Sequence, residues 1–459
     1  MDPRDRIVHL LRRAAFGASP AETEAYLRLG YDHTVEALLH YDRTDDSALE
    51  ISLTAEKLDF YSQADLQRWW LLRMIRTKRP LQEKMTLFWH GLLVSGTAKV
   101  GVPKPTPEKP SPPQHLLVQN RLFRANATGN VTTLLKAISR DPAMLIYLDN
   151  RDNNKRKPNE NYARELIELF SLGRTGPDGT PNYTEDDVRE AARALTGWGL
   201  SPEQTFLFKE NQHDTGTKTI FGKVGPWGGD DLIDLIVSHP NHARHFCARL
   251  FRFFVADRPN EEALAPLIAA YRTSHGDVGA TLRALFHSPS FTDPSALRAR
   301  VKSPVEFMVG AIRTLGLETN AVGLSGTLQK MGQTLFNPPN VAGWPSGSRW
   351  LSTSTWLERV NFANRVAVTR QDKNLAPVSP FRVLQASARG SPEAVADELV
   401  RVLLDGRISA EQRQVLVAYL RDGNLWPKSR APKETDAAID RKVRGAIYLV
   451  LAMPEYHLA

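Results

Sequence analysis

The sequence predicts an all-α protein: one large domain of helices joined by long irregular loops, with at most a small β-hairpin. Three observations lead there. Apolar residues recur at spacings of three and four along most of the chain. Helix-starting and helix-ending signals, such as Ser19-Pro20 and Gly173, bracket those stretches. Only two short runs, Thr205 to Lys209 and Lys218 to Phe221, read as strands. A chain of 459 residues is long enough for two or three ordinary domains or one large helical one. Dominance of helices, few strands and no internal repeat favour the single large domain over 1–459, with 375–459 as a candidate C-terminal helical subdomain.

From the N-terminus, Ile7 to Phe16 and Pro20 to Gly30 form two short amphipathic helices, the second with proline in its first turn. Helices follow over Tyr31 to His40 and Ser62 to Lys78, the latter carrying Trp69-Trp70. Pro80 breaks the chain, and Leu81 to Leu93 forms the next helix, holding Phe88-Trp89-His90. Residues 101–114 carry six prolines among few apolar side chains, which excludes a helix interior and makes an exposed loop, or a flap over a cleft. Helical pattern resumes from His115 to Thr128 and from Val131 to Ser139. Thr184-Glu185-Asp186-Asp187 resembles a capping box, with aspartate in the place of glutamate. The two strand candidates would pair as one hairpin around His213-Asp214-Thr215-Gly216. Helices return from Asp230 onward, interrupted by a proline- and tryptophan-rich irregular region from Thr334 to Trp350.

The most informative stretch is Asn159 to Gly173, a helix that opens on polar side chains and ends on glycine. Tyr162, Leu166, Leu169 and Phe170 make its apolar stripe, and Glu165 borders that stripe. A carboxylate beside a core must be paired, protonated or bound to a cation. This helix is therefore the expected seat of chemistry.

Composition narrows the classes. Hydrophobic content of 42% and charged content of 24% are those of a globular protein, and no apolar run approaches the ~18 residues of a membrane span. A net charge of +8 is a mild basic bias that permits an anionic partner; without a basic and aromatic recognition motif, no nucleic acid is expected. The single cysteine, Cys247, excludes an internal disulfide and a cysteine-rich zinc site. The N-terminus lacks the apolar core of a signal peptide, so a cytoplasmic location is expected from the sequence as it stands, although a processed exported chain would read the same. There is no Gly-x-Ser-x-Gly, Walker loop, dinucleotide fingerprint or His-Glu-x-x-His, which sets aside the common serine hydrolases, P-loop enzymes, Rossmann oxidoreductases and zincins.

Several blocks, Met85 to His90, Asn130 to Asn150, Asn159 to Gly173, Tyr183 to Trp198, His213 to Gly222 and Asn337 to Trp350, resemble the signature blocks of the bacterial domain-of-unknown-function family 1800. The opening His9-Leu10-Leu11-Arg12-Arg13-Ala14-Ala15-Phe16-Gly17 is similar to that family's start. The resemblance implies no established reaction. It implies a possible partner, because genes of the family often lie beside one encoding a sulfatase-like protein with an export signal. One departure stands out: the family often reads Phe-Trp-His-x-His-Phe, whereas here Leu92 replaces the second histidine. A metal site that needs both histidines is in doubt in this chain.

The candidate catalytic residues are Glu160, Glu165, His90, His213 and Asp214. The candidate substrate-binding residues are Asn159, Asn161, Arg164, Lys218, Trp198, Trp344 and Trp350. For each a plainer reading stands beside the chemical one. His90 is either a ligand or acid–base group, or a core histidine. The glutamates are either a catalytic or divalent-metal set, or an internal ion-pair network with Arg164 and Arg124. Lys218 either binds an anionic group or is an ordinary loop charge, and the tryptophans are either flat binding platforms or staples for irregular loops. The leading expectation is acid–base hydrolysis or elimination on a polar substrate, with polysaccharide among the candidates. The competing expectations are a non-catalytic helical scaffold or binding protein, working with the sulfatase-like partner or taking a polar or anionic small molecule or glycan, and a metal-dependent oxidase.

Overall fold

The computed structural model describes residues 1–109, 111–368, 372–426 and 436–459. Helices dominate, and the strands among the described residues form two separate two-stranded antiparallel sheets. The all-α class is therefore correct. No helix is long and apolar enough to cross a membrane among the described residues.

Two apolar clusters hold the helices together. The first gathers Leu10, Trp89, Leu166, Val188, Phe246 and Phe286 with their neighbours, all nearly inaccessible to water. The second gathers Trp70, Leu87, Phe307, Met331, Leu399 and Ile447 with theirs. The Pro80–Leu92 helix contributes to both, Phe88 and Trp89 to the first and Leu87 to the second, because successive residues of a helix face different directions. The helices Pro392–Leu404 and Ala437–Ala452 share the second cluster with Leu66 to Met74.

Local signals account for many boundaries. Ser19 and Ser303 each close a capping box with the glutamate three residues on, and proline occupies the first turn after both. Thr184 and Asp187 also form the complete box, so aspartate serves where glutamate is usual. The long loop 101–114 is largely exposed where described.

Two elements differ from the sequence expectation. The central helix is α-helical only over Glu160–Ile167, and Glu168–Leu172 continues as a π-helix closed by a 2.8 Å bond from the Gly173 amide to the Glu168 carbonyl. The wider turn inserts a residue into the apolar period, so Tyr162, Leu166 and Phe170 are buried while Leu169 is only half-buried. The single expected hairpin is replaced by two pairings. Phe206–Phe208 pairs with Trp198–Leu200, and Lys218–Ile220 pairs with Lys223–Gly225. Each observed partner lies one short loop away, but at three residues it is too short to show the alternation by which a strand is read from sequence.

Candidate functional site

A cleft of about 460 Å³ opens where three parts of the chain meet. Its floor is the C-terminal half of the Pro80–Leu92 helix, from Leu87 to Leu92. One wall is the C-terminal half of the His242–Phe254 helix, where Arg249 and Arg252 lie three apart and so share a face. The other wall is the irregular segment from Ala342 to Trp350. Arg300, Ser303 and Glu306 close the inner end.

The chain entering the irregular wall is anchored at Leu335 and Phe336, and the wall itself at Gly343. The Phe336 carbonyl accepts from the Thr97 amide at 2.9 Å, and the Leu335 carbonyl accepts from Gln67 Nε2 at 2.9 Å. Gly343 has a φ of +89°, and a Cβ there would lie 2.3 Å from the Gly91 carbonyl oxygen. Only glycine fits so close to the floor helix. That contact seats Trp344 beside Gly91 at the edge of the cleft.

The electrostatics of the cleft are uneven. Four guanidinium groups, Arg249, Arg252, Arg300 and Arg349, line it against two carboxylates, Asp257 and Glu306. Glu306 is already committed. It accepts from Lys84 Nζ at 2.5 Å, from Arg300, and from the Ser303 amide at 2.8 Å. Burial works to raise the Glu306 pKa, but Arg300 and Lys84 outweigh it and hold the group ionised. Burial pushes the Lys84 ammonium down to about 8 despite that partner. Arg249, Arg252 and Arg349 make no hydrogen bond or ion pair among the described residues, although the Asp257 charge acts on Arg252. Burial, then the neighbouring Arg252, pushes Arg249 down to about 10, which still leaves it charged at neutral pH. Asp257 Oδ1 and Trp344 Nε1 are buried without partners. Such a cavity presents fixed positive charge with unfilled hydrogen-bonding capacity.

The residues expected to be catalytic fall into separate surroundings. His90 is a core histidine, ringed by Trp70, Phe336 and Trp344, whose ring centroids lie 5.3 to 5.7 Å from its own. Burial alone pushes it down to about 3, so it is neutral. Glu160 pairs with Arg164, and Arg164 also pairs with Glu185, in an exposed surface arrangement. Arg124 pairs instead with Glu83. Glu165 is half-buried near Tyr147, with no hydrogen bond or ion pair among the described residues. Burial, then Glu168, raises its pKa against the opposing pull of Arg164. No hydrogen bond among the described residues joins Glu165, His90 and His213.

The remaining candidates are chiefly structural in their contacts. His213 Nδ1 lies 2.8 Å from the Thr196 carbonyl, and Asp214 makes a two-pronged pair with Arg193 that holds its carboxyl below the usual range. Lys218 Nζ donates to the Asp214 and Gly216 carbonyls at 2.6 and 2.9 Å, so its charge is spent on its own loop. The Asn159 side chain caps its helix by accepting from the Asn161 amide, and Asn161 Nδ2 donates to Asp149 at 3.2 Å. Trp198 is buried under the Arg140 guanidinium, 4.6 Å from the ring centroid. Of the expected residues, Trp344 and Trp350 alone line the cleft. Leu92, where the resembled motif has its second histidine, is on the cleft floor and presents only methyl groups. Among the described residues no three His, Cys, Asp or Glu side chains converge as a metal set.

Sequence reading missed the arginines. The available signal was the run Arg249-Leu250-Phe251-Arg252-Phe253-Phe254, in which two cations share one face of an otherwise apolar helix and no acid stands four residues before or after to pair them.

No match was found among curated proteins or solved structures. Residues 9–458 match the model of a family described as a protein of unknown function, DUF1800. That match runs from the first buried helix to the last residues of the second core cluster, so the chain as a whole belongs to the DUF1800 family.

Proposed function

We propose that the protein binds an anionic ligand in the arginine-lined cleft. The observation that carries this reading is the pair Arg249 and Arg252, one turn apart, without a hydrogen bond or ion pair among the described residues, at the wall of a cavity large enough for a small organic molecule. Guanidinium forks match carboxylate, sulfate and phosphate oxygens two at a time. The test is calorimetric titration of the purified chain with sodium sulfate and phosphate at low salt. Saturable binding is expected, with the Arg249→Gln/Arg252→Gln double variant losing about a hundredfold or more in affinity, the amount two charged hydrogen bonds are worth. Binding that is equal in wild type and double variant would refute the reading.

A second reading, acid–base hydrolysis or elimination on a polar substrate, is favoured by one observation: the half-buried, unpartnered Glu165 carboxyl has a raised pKa. Turnover of any substrate found should then be abolished by Glu165→Gln with the fold intact. Full turnover in that variant would remove Glu165 from the chemistry.

A further inference from the structure

We infer that the ligand of the cleft is an acidic sugar, a hydroxylated ring carrying a carboxylate or a sulfate ester. This rests on the anion-binding reading and narrows it. Size comes first. A cleft of about 460 Å³ is several times what a lone oxyanion fills and falls within the range of sites for small organic ligands. Charge distribution comes second. The guanidiniums arrive from three separate segments, at 249–252, 300 and 349. Sites for polyphosphates concentrate backbone N–H groups at a helix N-terminus or glycine-rich nest. Here the two helices that form the floor and one wall present their C-terminal halves. The α-helix N-terminus at Ser303 has its first-turn donors occupied by its capping box with Glu306 and by Gln333, and the other helix start at the cleft is only the short 3-10 turn Gly347–Trp350. Positive charge therefore comes chiefly from the guanidinium side chains, which suits single negative groups better than a phosphate chain.

The decisive residue is Asp257. A carboxylate inside an anion site repels an all-acceptor ligand and needs a donor to face it. Asp257 lines the cleft with no hydrogen bond among the described residues, the Arg252 charge acts on it, and its Oδ2 lies against Gly347, whose lack of a Cβ lets the backbone pass so close. Ring hydroxyls supply that donor, and the half-buried indole of Trp344 supplies apolar surface for the C–H face of a sugar. An anionic group for the arginines, hydroxyls for Asp257 and a ring face for tryptophan occur together in a uronate or a sulfated hexose.

The test is calorimetry on the full chain with glucuronate, a glucose sulfate ester, disaccharides of each, neutral glucose, ATP and sodium sulfate. At least one acidic sugar should bind about tenfold or more tighter than sulfate, glucose and ATP, as expected for added hydroxyl contacts to a charged acceptor. Which acidic sugar wins separates carboxylate from sulfate ester. Asp257→Asn should weaken that sugar about tenfold while tightening sulfate, because the repelling charge is gone. The sulfate response also shows that the variant is folded. If ATP or sulfate binds as well as every acidic sugar, or if Asp257→Asn tightens all anions alike, the sugar assignment falls and the anion site stands. If no anion binds at all, both fall.

Discussion

Glu306 links the fold to the cleft, so Glu306→Gln should move stability and ligand affinity in opposite directions. The carboxylate is 4% exposed and holds Lys84, which is fully buried, and Arg300. Removing its charge leaves the Lys84 ammonium uncompensated beneath Phe16 and Phe253, whose ring centroids are 4.6 and 5.6 Å away. Breaking a buried pair in this way costs about 3–5 kcal/mol. An unfolding entropy of about 2.1 cal/mol/K per residue over 459 residues makes roughly 1 kcal/mol equal to one degree of melting temperature, if the chain unfolds as one unit. Calorimetry should therefore show a fall of about 3–5 °C. At the same time the cleft loses one of its two carboxylates. For a ligand charge roughly 8 Å away and an effective dielectric near 20, that is worth about 2 kcal/mol in favour of an anion. Sulfate affinity should rise, and adding Lys84→Met should recover most of the lost stability by removing the stranded charge. A melting temperature unchanged by Glu306→Gln, or a fall in sulfate affinity with the fold intact, would refute this account of the charge cluster.

Three further outcomes follow from the geometry. His90→Phe should keep the melting temperature within about 2 °C, since the ring sits neutral among aromatics, whereas His90→Ala should cost about 3 kcal/mol for the cavity it leaves. Scanning calorimetry of both variants checks this, and a larger loss for the phenylalanine than for the alanine would restore a polar role for His90. Acid should unfold the chain early. Burial lowers the pKa of His90 and His242 to about 3 and of His245 to about 4, while the unfolded value is 6.5. The unfolded state then binds more protons, so stability is present above 6.5 and is lost as pH falls toward 4, at about 1.4 kcal/mol per pH unit for each histidine. A native tryptophan emission spectrum and unaltered melting temperature at pH 4 would contradict that burial. Finally, Gly343→Ala should lower stability by about 1–3 kcal/mol and weaken anion binding, because its Cβ would meet the Gly91 carbonyl and push Trp344 off the floor helix. Calorimetric melting and titration read both effects, and an alanine variant equal to wild type in each would show that the wall does not depend on that contact.

The helices were legible because their evidence is local. Ser19-Pro20-Ala21-Glu22 and Thr184 to Asp187 carry their caps within four residues, and both boxes form. The strand pairing was misjudged because the partners, Trp198–Leu200 and Lys223–Gly225, are three residues each and too short to show an alternating pattern, although each lies one short loop away. The site residues that were found and those that were missed divide by how much of their evidence lies in the local sequence. Tryptophans near prolines draw attention in any sequence, and Trp344 and Trp350 do line the cleft. Glu165 and His90 also drew attention, as polar groups on apolar stripes. Whether a polar group on such a stripe is reactive depends on what other helices bring against it, and His90 received three aromatic rings.

The arginines show the converse. Most basic residues near an acid in this chain end in an ion pair, as Arg164 does with Glu160 and Glu185, and Arg193 does with Glu190 and Asp214. A pair satisfies the charge and leaves nothing for a ligand. Arg249 and Arg252 differ only in what is missing around them, and a missing partner is a property of the folded surface. Their helix could have offered them to another helix, as it offers Phe246 to Trp89, where the rings stack 5.7 Å apart. Instead the close approach at Gly343 and Gly347 holds the opposite wall in place with Trp344, Arg349 and Trp350 on it. Two glycines in a loop and two arginines on a helix, about a hundred residues apart in sequence, together leave a cationic hollow in the protein, and the unpaired charge within it is what any ligand of the cleft has to answer.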